Sequence, residues 1–242
     1  MRVGAILGAL VLLLAALGGA AYWGLLAAHP AAMRLIGLTA IAPHLFSDSR
    51  VTPETLAHIE ALVPQAKARV ARHLGPLTAN PAIAFCMTSA CADNGLISGV
   101  RARAFGQSLV VLSPEAHSET FVVHELVHAE LFARIGRRIL EREVPVWFQE
   151  GLAVLVSGDE RFGPIDCDET IAMRARKMVD LSTFEATARR SLRESYFASS
   201  VATKCFIRAI PGDADFALLI QTLGEGKAPS LFGQIGLSNQ VP

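Results

Sequence analysis

His124-Glu125-Leu126-Val127-His128, followed by Trp147-Phe148-Gln149-Glu150-Gly151-Leu152-Ala153, is the stretch on which the reading of this chain turns. On a helix, residues four apart project from one face one turn apart, so the two imidazoles come close enough to share a single cation. The surrounding apolar residues Phe121, Val122, Val123, Leu126, Val127, Leu131 and Phe132 recur at helical spacing, and Gly136 falls where such a helix ends. Zinc suits a pair of imidazoles. Glu125 lies beside the first histidine, where it can reach a water on that cation without being a ligand, as a general base must. A zinc ion used for hydrolysis needs a third protein ligand and an open position, and Glu150, on a second apolar stretch after a short polar loop, is placed to be that ligand. The bland reading is a buried amphipathic helix whose two histidines are ordinary core or surface residues.

HELVH with a downstream Glu in WFQEGLA resembles the gluzincin branch of zinc metallopeptidases, in particular the small peptidase MA-like domains, which pair HExxH with a Trp-x-x-Glu-Gly-x-Ala helix. The resemblance spans about residues 80–237. Its C-terminal part rests on Tyr196-Phe197-Ala198-Ser199-Ser200, an apolar helix, Gly212 and Phe216-Ala217-Leu218-Leu219-Ile220. It implies an α+β, zincin-like fold in which a small sheet precedes the HExxH helix and a mainly helical part follows. It also implies one Zn2+ held by His124, His128 and Glu150, Glu125 as the base, and Tyr196 as a donor to the tetrahedral oxyanion. Tyr196 reads equally well as a core aromatic whose hydroxyl is satisfied locally. By the same resemblance a sheet edge, assigned here to residues 99–105, pairs with the backbone of a peptide or protein substrate. Arg101 and Arg103 on that edge either meet an acidic substrate or guard the edge against aggregation. One departure stands out: gluzincins of the thermolysin type carry an Asp four residues after the ligand Glu to orient a histidine, and this chain has Val154. Another group must hold the imidazole tautomers. Glu130 is near in sequence but reads as a solvated helix residue.

Length and composition fit one catalytic domain on a tether: 242 residues, 52% apolar, with 22 basic and 22 acidic side chains. Balanced charge without Lys/Arg clusters argues against nucleic acid as a partner, and there is no Gly-rich loop in a strand-to-helix setting to cradle phosphates. The apolar excess is concentrated in residues 3–28, which carry no charge and are long enough to cross a hydrocarbon core, with Tyr22 and Trp23 near the far end. A cleaved signal peptide would have its core at 3–17 and a small-residue site near Gly18-Gly19-Ala20. Continuation through Leu25, Leu26 and Ala28 favours an uncleaved single-pass anchor over residues 1–28, a juxtamembrane linker over 29–51, and a domain over 52–242. Cys86, Cys91, Cys167 and Cys205 all follow that segment, and an even count behind an export signal reads as two disulfides in an oxidising compartment, placing the domain on the periplasmic or outer side of an inner membrane. Cys86 with Cys91 would staple a short loop and leave Cys167 with Cys205; the other two pairings stay open.

Along the chain, Thr52 and Pro53 start a helix whose apolar stripe is interrupted near Pro64. Residues 81–87, 100–105 and 108–112 read as strands, with a turn at Gly106. The Glu150 helix should end at Ser157-Gly158. Residues 159–180 read as a charged loop, and helices are expected over 181–190, 195–210, 213–223 and 230–235. The function that follows is a membrane-tethered zinc metallopeptidase. Its rivals are a catalytically silent zinc-containing module that binds peptides or envelope proteins, and an anchored scaffold in which HELVH is incidental.

Overall fold

Among the described residues, five short strands make one mixed sheet: β1 (Thr39–Ala42), β2 (Leu45–Ser47), β3 (Ala82–Phe85), β4 (Ala102–Phe105) and β5 (Leu109–Leu112), in the spatial order β1-β2-β3-β5-β4. The parallel strands β2, β3 and β5 lie inside, and β1 and β4 run antiparallel to them at the two edges. The rest of the described chain is mostly helical: α1 (Pro30–Leu35), α2 (Pro53–Leu74), α3 (Ser89–Asp93), α4 (Glu119–Ile135), α5 (Arg137–Glu143), α6 (Val146–Ser157), α7 (Glu169–Ala175), α8 (Leu181–Ala188), α9 (Leu192–Ala209) and α10 (Phe216–Thr222). This computed structural model describes residues 30–93, 97, 99–210, 216–227 and 232. The expected anchor over 1–28 and all but Phe232 of the expected helix over 230–235 lie outside them. Among the described residues no helix is long and apolar enough to cross a membrane.

Both faces of the sheet are buried, which is why β3 and β5 read as unbroken apolar runs rather than as alternation. Leu45, Ile83, Phe85, Val110 and Leu112 face the main core, shared with α2, α4, α6 and α9. Phe46, Ala82, Ala84, Leu109 and Val111 face a smaller core closed by Met33, Leu38 and Ile97. Residues 39–47, within the stretch expected as a linker over 29–51, belong to this sheet. They supply β1 and β2, and Leu45 pairs with Ile83 inside the sheet. Strands of four and three residues are too short to show a period, and their turn signal is disguised because His44, not Gly or Asn, takes the left-handed position (φ 61°).

Helix α2 starts as its sequence indicates: the Thr52 hydroxyl accepts from the Thr55 N–H, and Pro53 occupies the first turn. Pro64 does not end it. The proline sits on the exposed face of the helix. Residues 159–180 are more ordered than a loop, holding a 3-10 turn at Glu160–Phe162 and α7, whose N-cap Asp168 accepts from the Thr170 and Ile171 N–H groups. Cys86–Cys91 joins the end of β3 to α3, and Cys167–Cys205 joins this segment to α9.

Glu130 overturns its sequence reading. It is 1% exposed and accepts hydrogen bonds from the Thr78 and Ala79 N–H groups at 2.9 and 2.7 Å and from Arg134 at 2.7 Å. Arg134 also donates to the Leu74 and Pro76 carbonyls. The pair thus satisfies both chain directions of the α2–β3 connection and clamps α4 beneath it, a task invisible in a helical pattern because its partners are backbone groups about fifty residues away. Glu130→Ala should cost about 2–4 kcal/mol in urea unfolding, since it leaves two N–H groups without their acceptor and removes the carboxylate partner of Arg134, which keeps its two carbonyl acceptors. A loss under about 1 kcal/mol would show that other contacts hold this junction.

Candidate metal centre

Helices α4 and α6 carry the site, and local features fix the position of each. Helix α4 stops at Gly136, which takes φ 80°. Helix α6 begins at Pro145, where the Val146 and Trp147 N–H groups donate to the Val179 and Met178 carbonyls. The Gln149 amide donates to the Leu140 and Val144 carbonyls, pinning the preceding turn. Helix α6 ends at Gly158 in the left-handed conformation, where the expected stop lies. Behind Glu150, α9 lies almost on the backbone of Gly151: a Cβ there would be 2.2 Å from the Ser199 carbonyl oxygen and 2.3 Å from Thr203 Oγ1. Only glycine permits this approach, and it brings Tyr196 on α9 up to the ring of His124, with centroids 5.7 Å apart.

The three sequence-derived ligand candidates converge. Nε2 of His124 and Nε2 of His128 are 3.2 Å apart, and Glu150 Oε2 is 3.3 Å from the first and 3.5 Å from the second. Donors about 2.0–2.1 Å from zinc at tetrahedral angles must stand about 3.3–3.4 Å from each other. The observed triangle has those edges, so these side chains could hold zinc without rearrangement. Among the described residues one other cluster of metal-ligand types, Cys167, Glu169 and Cys205, is assembled, but its two sulfurs are joined to each other.

The electrostatics fit a cation. Burial alone would push the His128 imidazole down, but the Glu150 carboxylate reverses this and raises its pKa to about 9. Burial would raise the Glu150 carboxyl, yet the two imidazoles hold it far below the usual carboxylate range. Three partly buried polar groups are thus short of one positive charge, which a proton or a metal ion can supply. Glu125, 6% exposed on the turn of α4 between the histidines, is raised by burial and by Glu150, with the imidazoles and the Ala104 backbone opposing.

The Tyr196 ring packs on Phe184 and His124 and lines the cleft. The negative charge of Glu150, then burial, push its hydroxyl well up, so it stays a donor. Val154 contributes only an apolar wall where an Asp would orient an imidazole.

A cleft of about 360 Å³ opens over His124 and Glu125 between β4 and α9. Strand β4 is an edge. Since the Ser113 N–H donates to the Arg101 carbonyl at 2.7 Å, Arg101 faces β5, and alternation turns the backbone groups of Ala102 and Ala104 outward to the open edge. The far wall comes from residues that pattern reading passed over. Asp159, buried, is lowered by hydrogen bonds from Arg161 that outweigh its burial, and the Arg161 guanidinium lies 4.9 Å over Phe121 and 5.6 Å over Phe162. Nothing periodic marks them, because they follow the helix stop at Gly158.

No family model, curated protein or solved structure matches this chain.

Because the metal-free His128 has a pKa of about 9, it carries a proton at neutral pH that an incoming cation must displace. Zinc binding at pH 7.5 should therefore release about one proton, and the apparent affinity should climb by up to about tenfold per pH unit until pH passes the imidazole value. Calorimetry in two buffers of different ionisation enthalpy measures this directly; a pH-independent affinity with no proton released would remove His128 from the ligand set.

Proposed function

We propose that this protein is a zinc-dependent metallopeptidase of the gluzincin type, with a zincin-like domain that hydrolyses peptide bonds in peptide or protein substrates outside the cytoplasmic membrane. The observation that carries the reading is the triangle of His124, His128 and Glu150 donor atoms, with edges of 3.2–3.5 Å, next to a buried fourth group, Glu125, that is not part of it. Ligands and base are thereby distinct groups, as hydrolysis requires and a purely structural zinc site does not. Zinc bound there would supply Lewis acidity, acidifying water and polarising the scissile carbonyl.

The remaining chemistry belongs to the chain. Glu125 takes a proton from the attacking water and returns it to the leaving amine as the C–N bond breaks, so that water and peptide yield one carboxylate and one amine product. Its raised pKa suits a group that must hold that proton between the two steps. The Tyr196 hydroxyl, kept protonated, donates to the oxyanion as charge develops on the carbonyl oxygen. The outward backbone groups of Ala102 and the Ala104 carbonyl pair with an extended substrate strand, giving affinity with little dependence on its side chains, while the Ala104 N–H faces Glu125. The uncharged stretch at 3–28 and the two disulfides support an anchored, extracytoplasmic placement in an oxidising compartment.

Glu125→Gln in the full chain should retain one zinc and its fold while peptide hydrolysis drops by about 10²–10⁴-fold. The wild-type acid limb follows from the sign of the shift. The ionised carboxylate is the base, and its pKa is raised, so kcat/KM should fall as pH drops through a value above 4.5. Zinc retained with undiminished hydrolysis in Glu125→Gln would remove Glu125 from the mechanism, and absence of zinc from the wild type would sink the reading.

A further inference from the structure

The chain is neutral overall, yet the mouth of its cleft is not. Arg101 from the edge-strand side, Arg161 from the far wall and Arg193 from α9 all line it. Two acids line the same space, and both are already committed: Glu125 is the proposed base, and Asp159 is bound by Arg161. Arg101 and Arg193 are exposed, and among the described residues neither forms an ion pair. Arg101 does lie within range of the Glu115 charge, but the Glu115 carboxylate is engaged by the Ser113 hydroxyl at 2.6 Å. Arg193 is laid along the wall by donating Nη2 to the Arg161 carbonyl at 2.8 Å, and it stands one helical turn before Tyr196, on the same side of α9. Protection of an open strand edge accounts for Arg101 but not for Arg193, which belongs to a helix on the opposite lip.

We propose that Arg101 and Arg193 form a carboxylate-binding pair at the mouth of the cleft, so that the protein selects peptides carrying an acidic group beside the segment lying over His124 and Glu125. The pairing deepens the peptidase reading and rests on it for the placement of the segment. A guanidinium offers a planar fork that matches a carboxylate with two parallel hydrogen bonds, and two such forks on opposing lips would fix one acidic group while the β4 edge holds the backbone. The exposed Val100 and Leu192 beside them add apolar contact for the stem of that side chain. The carboxylate can belong to an Asp or Glu side chain or to a chain terminus; both present the same chemistry.

The test measures binding apart from cleavage. Fluorescein-labelled peptides identical except for one Glu, Gln or Lys, each with a free or amidated C-terminus, are titrated by anisotropy against the zinc-loaded full chain carrying Glu125→Gln. The Glu peptide, or the free-acid form if the terminus is what is read, should bind about tenfold more tightly than its neutral counterpart. The margin should shrink in high salt and vanish in the same chain with Arg101→Gln and Arg193→Gln added. Arg193→Lys should retain part of it, and unchanged zinc content shows that the variants are folded. Equal affinities for all peptides, no measurable binding, or a preference that survives loss of both arginines would each overturn the proposal. Selective binding by a wild-type chain that cleaves none of the peptides would leave the carboxylate site standing and sink the peptidase reading; cleavage without charge preference would do the reverse.

Discussion

Burial of the Glu150 carboxylate against two imidazoles is the constraint on which the other features depend. A carboxylate taken out of water beside uncompensated neighbours is costly, so the helices that bring these groups together must be held firmly enough that the compensating charge stays within a few ångströms. Several devices serve that end. The Glu130–Arg134 clamp fixes α4 to the α2–β3 connection, Gln149 and the Val179 carbonyl fix the start of α6, and the glycine contact at Gly151 seats α9 directly behind the acid. None touches the His124, His128 and Glu150 donor atoms, yet each limits how far those atoms can drift apart.

The same constraint separates two carboxyls that sequence alone makes alike. Glu125 is buried and Glu150 largely so, but Glu150 is held ionised by direct contact with both histidine Nε2 atoms, whereas burial and the charge of Glu150 itself push Glu125 up. One group stays charged and can serve as a ligand. The other has a reason to take up a proton and release it again. Tyr196 stands under the same influence, held as a neutral donor by the acid that anchors the site.

What could be read in the sequence was whatever depended on local spacing. The extent of α4, the stop of α6 at Ser157-Gly158, the cap at Thr52, the buried strands and the one-turn separation of His124 and His128 all follow from periodicity and terminal residues. Convergence of Glu150 with them was legible because a second apolar helix so soon after the first has few places to pack. What escaped depended on distant partners. Leu45 and Phe46 gain meaning only beside β3, Glu130 only beside the N–H groups of Thr78 and Ala79, and Asp159 only with Arg161 across the cleft from β4. A solvated acid and a buried clamp look the same until the chain that needs them is in place.

The Cys167–Cys205 link has a further consequence for the cleft. The segment bearing Asp159, Arg161 and Phe162 leaves from the end of the helix that holds Glu150 and is sutured, a few residues later, to the helix that holds Tyr196. It is a strap tied at both ends to the walls it spans, and it cannot swing aside without dragging one of them with it. The opening opposite β4 therefore has a set width. Under the peptidase proposal, that fixed opening would favour a single extended strand over a folded surface, so a substrate would have to present itself already unravelled, as a tail or a loosened loop.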